Sequence, residues 1–193
     1  MFDPGEPQTG REIEATLRSV AAAGERFLAA LPATEFFAPQ GASWSPAEHA
    51  RHLSKSVRPV AMALNLPKLV LRWRFGKAAG SRSFPALREV YLAALAGGAT
   101  AGRFTPSAQP PPEEPAKRQA EILATFRHEV ETLADRLERW REPALDRHRM
   151  PHPVLGPLTV REMLFFTAYH NAHHLNRVAE RRGPPDSMAE RKS

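Results

Sequence analysis

Residues 159–182 read TVREMLFFTAYHNAHHLNRVAERR, and this stretch predicts a long helix that carries two histidines on one face. Thr159 followed three residues later by Glu162 is the pattern of a capping box at a helix start. His170 and His174 lie four residues apart, a spacing that places two imidazoles one above the other. Glycine and prolines at 183–185 end the helix after about residue 182, and we expect the polar tail 184–193 to be loose.

The histidine face of this helix points to an apolar interior, because it also carries Met163, Thr167 and Val178. Two neutral imidazoles there can bind one divalent ion, or they can be core histidines with backbone or hydroxyl partners. Spacing alone leaves both interpretations open. His173 lies about 100° round the helix from His174, so we interpret it as a supporting or packing residue. No carboxylate lies between the paired histidines, which argues against a metalloprotease of the HExxH type.

Three further segments show the three- and four-residue apolar spacing of amphipathic helices. They are residues 9–31, a stretch that begins at residue 46, and residues 116–141. Ser45, Pro46 and Glu48 together form a helix start, and Pro59 predicts a bend in the helix that follows.

A long connection separates the second of these helices from the third. Residues 62–75 mix apolar and basic side chains and predict a separate amphipathic helix, lying on the bundle or on a membrane surface; we favour packing on the protein. Residues 97–98 and 106–115 are rich in glycine or proline and predict an extended crossing. We therefore expect an all-α fold, a four-helix bundle with a long crossover connection. We expect a single domain over residues 1–193, with its core at about 9–183.

The composition excludes several kinds of site. The 193 residues contain no cysteine, which excludes disulfides, thiolate zinc sites and protein thiol nucleophiles, so any metal must use nitrogen or oxygen ligands. The basic residues behind the net charge of +6 are mostly scattered and cluster only around Arg72, Arg74 and Lys77 and in the tail at residues 181–182 and 191–192. We do not expect nucleic-acid binding, because no recognisable binding motif accompanies them. The N-terminus has no secretory pattern and no apolar run is long enough for a transmembrane segment, so we expect a cytoplasmic protein.

Two motifs carry a resemblance to a known family. The first consists of Trp44, Glu48, His52 and Leu53. The second consists of His152-Pro153, Gly156, Leu158-Thr159, His170 and His174. Together they resemble the DinB-like, YfiT-like family of metal-binding four-helix bundles over nearly the whole chain.

The resemblance implies a ligand set for one divalent metal ion, zinc or nickel: His52, His170 and His174. His49, one turn before His52, is the alternative third ligand if the helix register differs. The chain departs from the family pattern at Arg177, where many members have glutamine, and in residues 66–115, which are longer and more basic. Arg177 changes the expected surroundings of the ligands, and the longer connection changes the expected mouth of the pocket and with it the expected substrate.

Three imidazoles on one metal leave a position open for water or for a thiol, which favours hydrolysis or thiol transfer. The resemblance adds weight to transfer, since family members include transferases and isomerases that use a low-molecular-weight thiol. Our leading hypothesis is a metal-dependent enzyme that acts on a small-molecule substrate by thiol S-transfer or hydrolysis. The alternative is a non-enzymatic metal-binding or stress-response bundle protein. A homodimer formed through helix faces is compatible with either hypothesis.

The other histidines and several aromatic residues are interpreted as structural residues. His128 is expected on an exposed helix face, and His148 and His152 in a proline-rich loop. For His152 we favour a role in fixing that loop by hydrogen bonding, with an approach to the metal site as the alternative. Trp140, Phe165 and Phe166 are interpreted as core residues.

Overall fold

The computed structural model describes residues 1–39, 41, 43–107, 109 and 112–181. Its helices and strands, in chain order, are α1 (Gly10–Ala29), α2 (Ala33–Phe37), α3 (Pro46–Leu64), α4 (Lys68–Phe75), α5 (Phe84–Ala96), a 3-10 turn (Gly102–Phe104), α6 (Pro115–Leu137), α7 (Glu142–Arg147), β1 (Arg149–His152), β2 (Gly156–Thr159) and α8 (Val160–Arg181).

The four long helices α1, α3, α6 and α8 form the bundle. Helix α3 packs between α6 and α8, and α1 packs between the same two helices on the other side. Fully buried side chains from all four meet in one core, among them Ile13, Leu53, Phe126 and Leu164. The connection between α3 and α6 contains α4 and α5. The predicted all-α bundle with a long crossover connection is therefore confirmed.

Capping boxes fix the starts of the two helices that carry the histidine motifs. At α3, Ser45 Oγ accepts from the Glu48 backbone N–H and the Glu48 carboxylate accepts from the Ser45 N–H at 2.8 Å. At α8, the Thr159 and Glu162 pair does the same, at 3.1 and 2.8 Å. Each box satisfies backbone donors that would otherwise lack partners at the helix start, and so fixes where the helix begins.

Several parts of the connections differ from the sequence expectations. Residues 62–64 complete α3, which runs on past Pro59, and the amphipathic helix begins only at Lys68, after Pro67. The expected loop between α6 and α8 contains α7 and an antiparallel hairpin in which Pro151 pairs with Pro157. A two-stranded hairpin accepts prolines because each strand has an unpaired edge.

Two expectations fall on residues outside the described part of the chain. They are the proline run at 110–112, of which only Pro112 is described, and the loose tail at 184–193. The single domain over residues 1–193 stays a prediction. Across the described residues, no helix combines the length and the hydrophobicity that crossing a bilayer requires.

Candidate metal centre

Three histidines from two neighbouring helices meet at the interface between α3 and α8. His52 comes from α3, and His170 and His174 come from α8. One ring nitrogen from each lies within 4.8 Å of the other two. His52 and His170 are buried, and His174 is partly buried. Helix spacing alone places His170 above His174. The third member of the group, His52, comes from 118 positions before His170 in the chain.

Hydrogen bonding fixes the tautomer of His52. Its Nδ1 lies 2.9 Å from the carbonyl oxygen of Phe104, which can only accept, so Nδ1 carries the proton and Nε2 keeps a free lone pair. That Nε2 lies 3.1 Å from Nε2 of His170. Two nitrogens bound to one tetrahedral zinc ion lie roughly 3.3 Å apart. The donor set and its spacing fit a divalent ion.

His49 lies behind His174 and outside this three-nitrogen group. Its Nδ1 is 2.8 Å from Nδ1 of His174, so one of the two nitrogens donates to the other. If His174 offers Nε2 to a ligand, its Nδ1–H donates to His49, an arrangement that commonly orients metal-binding imidazoles. The geometry therefore favours His52 over His49 as the third member and places His49 in contact with His174.

Burial keeps these imidazoles neutral. It lowers the pKa of His170 and of His174, and neighbouring histidines lower both further. Burial also lowers the pKa of His52, against a raising effect of the Phe104 carbonyl, and it brings the pKa of His49 to about 3, with Arg181 adding repulsion. Neutral imidazole is the form that binds metal, so little proton release would accompany binding at neutral pH.

The three histidines line one wall of a cavity of about 370 Å³. Its other walls are mainly apolar and include Val60, Leu95, Met150, Met163 and Phe166. Trp44 also lines it, with its ring stacked on His174 at a centroid distance of 5.9 Å. Burial raises the pKa of Tyr91 in the same wall to about 12, so its hydroxyl keeps its proton. The cavity suits a small molecule with a largely apolar body.

His152, for which the sequence favoured a loop-fixing role, also lines this cavity. It ends β1, and its Nδ1 accepts from the backbone N–H groups of Val154 and Leu155, at 3.2 and 3.0 Å. The ring proton therefore sits on Nε2. Its ring packs on Phe166 at 4.3 Å, and Phe166 stacks on His170 at 5.0 Å. Burial lowers the pKa of His152 to about 4, which leaves a neutral N–H donor beside the candidate centre.

The remaining histidines follow their sequence interpretations in part. His128 is exposed on α6, and Nδ1 of His148 donates to the Ala144 carbonyl at 2.9 Å. His173 lines the cavity, with its ring 5.5 Å from that of His174.

The proposed core aromatics separate into two groups. Trp140 and Phe165 are core residues, as expected. Phe166 is partly buried: it packs against the core and also forms part of the cavity wall.

The fold and the site together define a helical bundle with clustered, neutral histidines on the wall of a cavity. A family model described as the DinB superfamily matches residues 16–178, which is most of the chain. The protein therefore belongs to the DinB superfamily, and the family resemblance seen in the sequence is confirmed. No curated protein and no solved structure matches the chain.

Proposed function

We propose that this protein is a metal-dependent enzyme that holds one divalent ion, zinc or nickel, through His52, His170 and His174. Its substrate is a small molecule bound in the adjoining cavity. The observation that carries the proposal is the group of three ring nitrogens within 4.8 Å of one another on the wall of that 370 Å³ cavity. Imidazole nitrogens suit both metals, so the donor set does not choose between them.

Three protein ligands leave room for an exogenous ligand on the side of the cavity, as in catalytic and unlike closed structural sites. When bound, such an ion supplies Lewis acidity that activates a water molecule for hydrolysis or a low-molecular-weight thiol for S-transfer. The chain contains no cysteine, so a thiol nucleophile has to be a cosubstrate. We propose hydrolysis and S-transfer as the two possible reactions of this site.

The surrounding residues would prepare the site for either reaction. Phe104 holds His52 through its carbonyl, and His49 holds His174 through Nδ1. The apolar walls exclude water around the bound molecule, which strengthens polar interactions inside the cavity. The Nε2–H of His152 would donate a hydrogen bond to an oxygen of the substrate.

One observation favours the alternative of a metal-binding or stress-response protein without turnover. Glu48, the nearest carboxylate in sequence, is occupied in the α3 capping box, where it accepts from the Ser45 N–H and hydroxyl. The three-histidine group itself includes no carboxylate. The group therefore supplies no carboxylate as a base for proton abstraction.

The first experiment measures the metal content of protein purified without a histidine tag, by mass spectrometry. The His170→Ala, His174→Ala double variant should lose one equivalent of metal. The matched control His128→Ala should keep it, because His128 is exposed on α6. Absence of metal from the wild type, even after addition of zinc or nickel, would refute the metal site.

Turnover is tested on the metal-loaded protein. Thiol transfer is followed with glutathione and chlorodinitrobenzene, and hydrolysis with nitrophenyl esters. Turnover that disappears in the double variant and survives in His128→Ala supports the enzyme. Stoichiometric metal without turnover on either substrate class supports the non-enzymatic alternative.

A further inference from the structure

Helix α4 exposes an apolar face that nothing in the described protein covers. Trp73 is 85% exposed, Leu69 is 77% exposed and Val70 is 43% exposed. By the 3.6-residue period these three side chains share an arc of about 100°. On the opposite side, Leu71 is fully buried and anchors the helix, which contacts β1. Such a contiguous exposed apolar surface marks an interaction site more often than isolated exposed residues do.

The surroundings of this face are strongly basic. Residues 49–88 contain nine Lys and Arg and no Asp or Glu, whereas the rest of the chain has 18 basic and 21 acidic residues. Arg72, Arg74 and Lys77 are exposed next to the apolar arc. In the part of the chain that the structure describes, none of the three forms an ion pair with a carboxylate. Their charges are available to an external anion.

We propose that α4 docks this protein on the surface of an anionic lipid membrane. Trp73 and Leu69 enter the headgroup region, and Arg72, Arg74 and Lys77 contact acidic headgroups. This combination of an apolar stripe with basic flanks is the pattern of interfacial helices, and tryptophan favours the membrane interface. Because α4 has only eight residues, the apolar area is small and binding depends on charge and is reversible.

Two other occupants fit the face less well. A second copy placed symmetrically on it would bring like basic residues into contact, which costs free energy. A nucleic acid would satisfy the charges but would leave Leu69 and Trp73 without an apolar environment. An anionic bilayer satisfies both the charges and the apolar side chains.

The test is cosedimentation of the full chain with vesicles of phosphatidylcholine alone and of phosphatidylcholine mixed with phosphatidylglycerol. Binding should require phosphatidylglycerol and weaken as salt is added. The Arg72→Gln, Arg74→Gln, Lys77→Gln variant should lose about a hundredfold in partition coefficient, since each basic side chain near an anionic surface contributes about fivefold.

A matched variant separates this surface from the effect of net charge. Arg11→Gln, Lys117→Gln, Arg127→Gln removes the same charge from exposed positions on α1 and α6 and should bind nearly as the wild type does. An equal loss in both triple variants would overturn the proposal, as would equal binding to both vesicle types or no binding to either.

Tryptophan fluorescence tests the insertion directly. Binding to the mixed vesicles should shift the emission to the blue, and the Trp73→Phe variant should bind without that shift. Trp73→Ser should weaken vesicle binding, and circular dichroism checks that the variants keep their helices. A self-associated chain that dissociates in Trp73→Ser, with no vesicle binding, would assign the face to a second copy and refute the membrane proposal.

Discussion

Acidification should destabilise the metal-free protein through His152. Burial lowers the pKa of this imidazole from 6.5 to about 4. Between these two values the unfolded chain binds a proton that the folded chain does not, so stability is highest above pH 6.5 and falls as the pH drops. The loss is about 2 kcal/mol at about pH 5 and approaches about 3 kcal/mol below the folded pKa. A typical domain has a total stability of only about 5–15 kcal/mol.

The assay is urea unfolding in the presence of a chelator, at neutral pH and at about pH 5, for the wild type and for His152→Asn. The variant lowers stability at both pH values, but its pH-dependent loss should be smaller than that of the wild type by about 2 kcal/mol. The other buried histidines titrate in both proteins, so the difference between the two pH dependences reports on His152 and on its repulsion of His170. His128→Asn, which changes an exposed histidine, should keep the wild-type pH dependence. Identical pH dependence in wild type and His152→Asn would show that His152 is not buried as a neutral group.

Two further predictions concern polar side chains of α8 and α3. Asn171 is fully buried and its side-chain amide has no hydrogen-bond partner among the described residues, so Asn171→Leu should raise the free energy of unfolding by about 1–3 kcal/mol. Asn176→Leu, the matched change at an asparagine that bonds both backbone groups of Phe2, should lower it; the same sign for both in urea unfolding would contradict this reasoning. His49→Phe should weaken zinc binding by about tenfold to a hundredfold, because it removes the partner of His174 Nδ1. Competition with a chromophoric chelator measures this affinity, and an unchanged value would remove His49 from the site.

Local sequence signals predicted the bundle well. Two of these signals depend only on neighbours along one helix, and the structure shows both. They are the capping box of Thr159 and Glu162 and the contact between His170 and His174, four residues apart. Helix α5 was not predicted, because its own apolar side chains lie on most of its faces. Phe84 and Leu87 are buried, whereas Leu92 is 42% exposed. A sequence with little contrast between its faces gives a weak periodic signal.

The choice between His49 and His52 needed the tertiary structure. Both lie on α3, three residues apart, and the rotation of α3 against α8 decides which one meets His170. The spacing of residues along one helix gives no information about how that helix is rotated against its neighbour. His152 was underestimated for a similar reason, because the β1–β2 hairpin carries it to the cavity and the hairpin itself was not predicted. The role of His52, His170 and His174 as metal ligands stays a prediction.

The two-helix origin of the histidine group has a consequence for how the chain would acquire its ion. An ion held by His52 and His170 would act as a reversible cross-link between positions 118 residues apart. Closing a loop of about a hundred residues lowers the entropy of an unfolded chain, which raises its free energy by roughly 4–5 kcal/mol. The ribosome makes His52 long before His170 and His174, so the nascent protein has no complete binding group until α8 has been synthesised and has docked on α3. Loading would then mark the completion of folding, and removal of the ion would loosen the connection between the beginning and the end of the bundle.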